Sequence, residues 1–254
     1  MRNQNADQQA VIVTHHNRVT TCTLNRPDKL NALNADLVEG LLQALENARA
    51  KNSQLVVFRG TGRAFCAGFD LSDLAAMTDA DLLYRFVRIE TLLQAIYTAP
   101  MPTLALVQGR CFGAGVDMVA ACSQRIASPD SSFRMPGLQF GIVLGTRRLA
   151  TLIGSDAARD ILQTSQVFDA DRANACGFLT AIVKQDDWDN EISKAASNAA
   201  VLTDQSCHAL MQQTRDDHYL DGDMAALVRS ASKPGLGARL AGYVAALKKP
   251  SASA

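Results

Sequence analysis

Short β-branched runs alternate with helical periodicity along the first third of the chain. Val11-Ile12-Val13 and Val19-Thr20-Thr21-Cys22-Thr23-Leu24 carry strand patterning, and His15-His16-Asn17-Arg18 between them reads as a hairpin turn. Asn34 stands where a helix N-cap is expected, and Leu37, Val38, Leu41, Leu42 and Leu45 follow at helical spacing. Leu55-Val56-Val57-Phe58 reads as a buried strand. A second helix is predicted over 80–98, with Leu82, Leu83, Phe86, Leu93, Ile96 and Tyr97 on or near one face and Pro100 and Pro102 stopping it.

Thr103-Leu104-Ala105-Leu106-Val107 predicts the next buried strand. Gly113–Cys122 predicts a glycine turn entering a short apolar helix, and Arg125-Ile126-Ala127-Ser128 another strand. From about residue 145 the pattern is helical apart from Ala181-Ile182-Val183. Asp169 caps one helix there and Gly177 closes it. Further helices are expected over 187–201, 204–218 and 221–247. Strand-strand-helix units followed by helices predict an α/β core with a helical C-terminal region.

Composition narrows this picture. The 254 residues are 48% hydrophobic, enough for one large domain, or a domain with a small appendage. Lysines plus arginines number 25 and acids 25, so bulk charge predicts neither nucleic acid nor an anionic membrane as partner. No apolar run approaches the roughly 20 residues of a membrane helix. The first nine residues are polar, without the apolar segment of a secretory signal, which predicts a cytoplasmic protein. Six scattered cysteines form no CxxC pair and no zinc-site spacing, so they read as reduced core thiols, and no metal is expected.

Candidate chemistry concentrates in two glycine turns, Gly62–Leu71 and Gly109–Met118, each directly after a predicted buried strand. Small residues at a strand exit allow close approach to the backbone. The first N–H groups of a helix have no intrahelical acceptor, so a helix beginning near Gly115 offers donors to an anion or a developing oxyanion. One such donor is worth about 3–4 kcal/mol of transition-state stabilisation. Taken alone, Gly113-Ala114-Gly115 also fits a simple packing turn. It is neither a dinucleotide fingerprint, since Met118 stands where the third glycine belongs, nor a phosphate-binding P-loop.

Three stretches together resemble the enoyl-CoA hydratase/isomerase (crotonase) superfamily: Asn25–Leu33, Ala64–Leu71 and Val107–Gly115. The resemblance implies an α/β spiral of ββα repeats over 1–190. It also implies a helical region over 191–254 for oligomerisation and active-site cover, and assembly as a homotrimer or dimer of trimers. It implies an acyl-CoA substrate, with coenzyme A entering as part of that substrate and no separate cofactor. The backbone N–H groups of Cys66 and Ala114 would form an oxyanion hole, although the family usually has glycine where Ala114 stands. Arg26, Lys29, Ala64, Ala67, Gly68, Phe69 and Asp70 would line the coenzyme A side, and Gly113 and Gly137 complete the substrate-binding set. For Arg26 and Lys29 the alternative is a solvated loop charge, and for Asp70 a cap on the following helix. A nucleophilic Cys66 thiol is a minor alternative, since no histidine lies nearby in sequence.

Hydrating an enoyl thioester is served by two carboxyl groups facing one water. By the resemblance, the first glutamate position is occupied by Asp117, one methylene shorter and set in the otherwise apolar Val116–Val119 stretch. The alternative for Asp117 is a buried acid paired with an arginine such as Arg125 or Arg147. Gly137 stands where the second glutamate follows Pro136, and glycine has no side chain to carry a proton. The expectation is therefore an acyl-CoA enzyme that stabilises a thioester enolate, with Asp117 as the one identifiable acid/base group. Alternatives are decarboxylation or thioester hydrolysis, with Arg134 or Arg147 holding a substrate carboxylate, and a CoA-ester binding protein without hydratase activity. A serine peptidase on a related fold ranks last, because the second turn offers no serine nucleophile.

Overall fold

The computed structural model describes residues 9–247. Strands β1 (Val11–His16) and β2 (Val19–Leu24) form an antiparallel hairpin closed by Asn17 and Arg18, whose φ angles are 47° and 61°. The two-residue turn leaves His15 and His16 inside the strand rather than in the turn predicted from sequence. Asn34 caps α1 (Ala35–Ala50) by accepting from the Leu37 N–H, and Leu37, Val38, Leu41 and Leu45 are buried along one face. Each such leucine contributes about 1.5–3 kcal/mol through burial.

The chain then repeats one unit. Strand β3 (Leu55–Gly60) is followed by β4 (Ala64–Cys66) and, after a loop, by α2 (Asp79–Tyr97). Strands β5 (Thr103–Val107) and β6 (Arg110–Phe112) lead into α3 (Ala114–Ala121). Strands β7 (Gln124–Ala127) and β8 (Ser132–Arg134) begin the next turn, which continues into α4 (Thr146–Ile153) and α5 (Ser155–Thr164). Strand β9 (Phe168–Asp169), α6 (Ala170–Ala175) and β10 (Ala181–Ile182) complete the core. Asp169 caps α6 by accepting from the Arg172 N–H, as predicted.

Each unit places its first strand in one sheet and its second in another. The larger sheet has the order β1-β2-β3-β5-β7-β10, parallel apart from the β1–β2 hairpin. The smaller has the order β4-β6-β8-β9, with β9 antiparallel. The winding is the ββα spiral expected from the resemblance. Sequence patterning alone missed β4, β6 and β8, because a three-residue strand has too few positions to show a period.

The C-terminal helices are α7 (Trp188–Ala199), α8 (Asp204–Gln213), α9 (Leu220–Ala231) and α10 (Leu236–Leu247). The helix predicted over 221–247 is two helices, broken at Pro234-Gly235. The one predicted over 204–218 ends at Gln213 and resumes as a short 3-10 turn at Asp217–Tyr219. Asp79, at the start of α2, accepts the backbone N–H groups of Gly235, Leu236 and Gly237 and so fastens the first turn of α10. Among the described residues no helix is long and apolar enough to cross a membrane.

Candidate active site

The two glycine turns meet. A methyl group built on Gly115 would lie 2.6 Å from the Cys66 carbonyl oxygen, and one built on Gly68 would lie 2.6 Å from the Phe112 carbonyl oxygen and 3.3 Å from the Ala114 nitrogen. Only the absence of a side chain at both positions lets the end of β4 pack against the start of α3. Ala114 is the first residue of α3, so its N–H has no acceptor within the helix.

The contact opens onto a cavity of about 300 Å³. Ala67, Phe69, Gly113, Ala114, Asp117 and Gly137 all line it, so residues from three separated sequence stretches share one wall. Phe69 stacks on Phe86 with ring centroids 4.4 Å apart, and the Arg85 guanidinium lies 4.2 Å from the Phe69 ring. Ile142 and Leu144 extend the apolar lining, and Tyr243 and Leu247 of α10 reach it from the C-terminal region. Leu30 and Arg110 also line a neighbouring depression beside Arg63 and Ala64, which extends the cavity toward the first turn.

Asp117 is buried and its Oδ1 has no hydrogen-bond partner among the described residues. Burial pushes its carboxyl well above the usual range; Arg148 pulls the other way and Glu90 adds to the rise. The arginine that acts on it is therefore Arg148, which forms no ion pair with it, and not Arg125 or Arg147, the examples named in the alternative drawn from sequence. Arg125 donates to the carbonyls of Phe178 and Cys122, and Arg147 pairs with Asp223 at 2.6 Å. Arg147 does not line the cavity; Arg134 does, with its Nε donating to the Ser165 carbonyl 2.9 Å away. Across the turn, Gly145 (φ 62°) covers Asp117 so closely that a built methyl would fall 1.7 Å from Oδ1.

Gly137 begins a short 3-10 turn (Gly137–Phe140) and faces the same cavity as Asp117. No carboxyl comes from that position. Burial pushes the Cys66 thiol up to about 12, which favours the thiol over the thiolate that a nucleophile needs. Among the described residues no cluster of three or more His, Cys, Asp and Glu is placed to hold a metal.

The residues expected on the coenzyme A side divide. Arg26 ion-pairs with Asp70 at 2.8 Å and also donates to the Ala32 carbonyl, so it is an internal strut rather than a solvated charge. Asp70 accepts from the Ser72 N–H and clasps its own loop, in place of the helix cap considered from sequence. Lys29 is exposed, with Nζ 3.4 Å from Ser72 Oγ. Ala64 is buried in β4 and its carbonyl accepts from the Asn31 side chain at 2.8 Å.

The sequence profile of the enoyl-CoA hydratase/isomerase family matches residues 14–226. The chain belongs to that family. A Mycobacterium tuberculosis relative, named as probable enoyl-CoA hydratase echA6, is 34% identical over 190 residues, which span 72% of this chain and 76% of the relative. The short-chain-enoyl-CoA hydratase of Clostridium acetobutylicum is 30% identical over 209 residues, 79% of this chain and 80% of that one. The crystal structure of a Bordetella parapertussis protein assigned as an enoyl-CoA hydratase/isomerase superposes with a TM-score of 0.92 at 45% identity. That match covers 96% of this chain and 100% of the other.

Sequence reasoning missed the buried polar groups on the helices that pack against α3. Glu90 carried a signal: it is an acid among Phe86, Ile89 and Leu93 on the core side of α2, and it is buried. Arg148 carried none, because nothing in the sequence separates it from the adjacent Arg147.

Proposed function

We propose that the protein acts on an acyl-CoA thioester by polarising its carbonyl between the N–H groups of Cys66 and Ala114, with Asp117 as the acid/base group at the acyl carbons. The observation that carries this reading is the close packing of Gly68 and Gly115, which sets the two turns side by side on the cavity that Asp117 lines. Negative charge developing on the thioester oxygen would meet preorganised donors there, an arrangement that lowers the barrier to an enolate. A carboxyl whose protonated form is favoured by burial suits proton donation to such an enolate, or hydrogen bonding to a substrate oxygen. The apolar lining by Phe86, Ile142 and Leu144 favours a hydrocarbon acyl group.

The test is turnover of crotonyl-CoA and longer 2-enoyl-CoA esters, followed by loss of the conjugated enoyl thioester and by product analysis. Asp117→Asn should lower kcat by about 100-fold or more while leaving CoA-ester binding in place. Equal turnover by the variant and the parent would remove Asp117 from the chemistry. One observation favours a second reading. Gly137 supplies no carboxyl, while Arg134 lines the cavity and offers a charge for a substrate carboxylate. Release of carbon dioxide from a malonyl-type CoA ester, abolished in Arg134→Met, would replace hydration or isomerisation with decarboxylation.

A further inference from the structure

Helix α3, which carries Asp117, packs against α2 and α4, and those two helices hold a charge cluster that does not line the cavity. Arg148, on the first turn of α4, ion-pairs with Glu90 of α2, and both side chains are only 1% exposed. Its Nη1 also lies 3.7 Å from Asp223 of α9. The buried side-chain atoms without a hydrogen-bond partner among the described residues are Asp117 Oδ1, Arg148 Nε and Gln108 Oε1. The first is an acceptor and the second a donor. They belong to residues joined through one turn, since Gly145 packs on Oδ1 and Arg148 follows three residues later.

A guanidinium this deeply buried would normally spend every donor. Arg148 instead gives two nitrogens to Glu90 and keeps Nε back. The strands packed against α3 bring titratable groups of their own. Cys66 and Cys111, on the strands packed against α3, are thiols held protonated by burial. The charges that Asp117 senses are therefore Arg148 and Glu90, with Asp223 acting through Arg148.

We infer that Glu90 and Arg148 form a positioning pair for Asp117. Glu90 neutralises Arg148 while Asp117 carries its proton, and Arg148, with Nε free, is the counter-ion that receives Asp117 when the proton leaves. The inference rests on the proposed role of Asp117 and adds to it. The acid is poised by a second layer of charge from α2 and α4, not by a second carboxyl in the cavity. That supplies part of what Gly137 cannot.

The experiment is a pH titration of the full-length protein labelled with 13C at aspartate side-chain carboxyls, with the Asp117 resonance identified from its loss in Asp117→Asn. Glu90→Gln keeps the shape of the pair and leaves Arg148 uncompensated, so the Asp117 midpoint should fall by at least about one pH unit. Asp223→Asn removes the more distant acid and should move it the same way by less. An Asp117 midpoint within a few tenths of a unit of the parent in folded Glu90→Gln overturns the inference. If Glu90→Gln does not fold, an unmoved midpoint in Asp223→Asn overturns it and a downward shift upholds it. The pH profile of kcat/KM for the best enoyl-CoA substrate is read alongside. A resonance that shifts while the rate profile stays still upholds the positioning pair and removes Asp117 from the reaction, so the two failures are distinguishable.

Discussion

The two glycine turns carry the same short pattern, Gly68-Phe69-Asp70 and Gly115-Val116-Asp117, yet their surroundings push the two carboxyls in opposite directions. Burial pushes Asp70 up, but hydrogen bonds from Ser72 and the Arg26 guanidinium outweigh it and hold the carboxyl below the usual range. Burial pushes Asp117 up as well, and there nothing donates to Oδ1. The difference lies in the partners. One aspartate clasps its own loop and ties it to the Arg26 segment. The other is left with an unspent oxygen beside a cavity. An orphaned polar atom costs about 1–3 kcal/mol, and such a cost is retained where the group is needed for something other than stability.

Gly145→Ala breaks that contrast most directly. Its new methyl would occupy the position of Asp117 Oδ1, and the carboxyl would have to turn away. A displacement of about 1 Å at a reacting group can cost as much as 100-fold, so kcat/KM for the best enoyl-CoA substrate should fall by tens to about 100-fold. The positive φ of residue 145 adds about 1–2 kcal/mol of strain, read as a drop in Tm of a few degrees. Unchanged kinetics would mean that the Asp117 carboxyl is not held where catalysis needs it.

A smaller effect follows from linkage. Asp117 has a folded-state pKa raised above its unfolded value of about 3.9. Between those two values the folded state binds more protons than the unfolded chain, so this group makes stability fall as pH rises. Asp117→Asn removes that dependence. The stability of the variant relative to the parent should therefore improve with pH from about 4 upward, by at most about 1.4 kcal/mol per unit. Chemical denaturation at several pH values measures the slope, and a difference that is flat with pH would contradict a protonated Asp117.

The sequence made the spiral and the two turns legible, and it did less well with the wall behind them. Asn34 and Asp169 announced their helices because an N-cap is a local device, satisfied by a side chain and an N–H three residues on. The strands of the larger sheet announced themselves through apolar, β-branched runs. Ala64–Cys66, Arg110–Phe112 and Ser132–Arg134 did not, because their pairing is decided by the turns that stack them and not by their own pattern. Asp117 stood out as an acid in an apolar helix. Its arginine could not be chosen from sequence, since Arg147 and Arg148 are neighbours and only the winding of α4 sends one inward to Glu90 and the other to Asp223. The break between α9 and α10 was readable at Pro234-Gly235, but the apolar periodicity on either side masked it.

The mildest way to sharpen the comparison is to unclasp Asp70. Its carboxylate is charged and partnered, so Asp70→Asn loses one charge-assisted contact with Arg26 and weakens the one with Ser72. At pH 7 the expected loss is about 1.5–3 kcal/mol, seen as a Tm lowered by a few degrees. The sign with pH is the reverse of that for Asp117. A depressed folded pKa gives stability that is present above the unfolded value of about 3.9 and is lost as pH falls through the folded one, so the deficit of Asp70→Asn should shrink below about pH 4. Arg26→Gln should cost a similar amount, and the double variant should cost less than the sum, because the two residues share one contact. Strict additivity would mean that the 2.8 Å pair contributes nothing, and the contrast between the two turns would then rest on Asp117 alone.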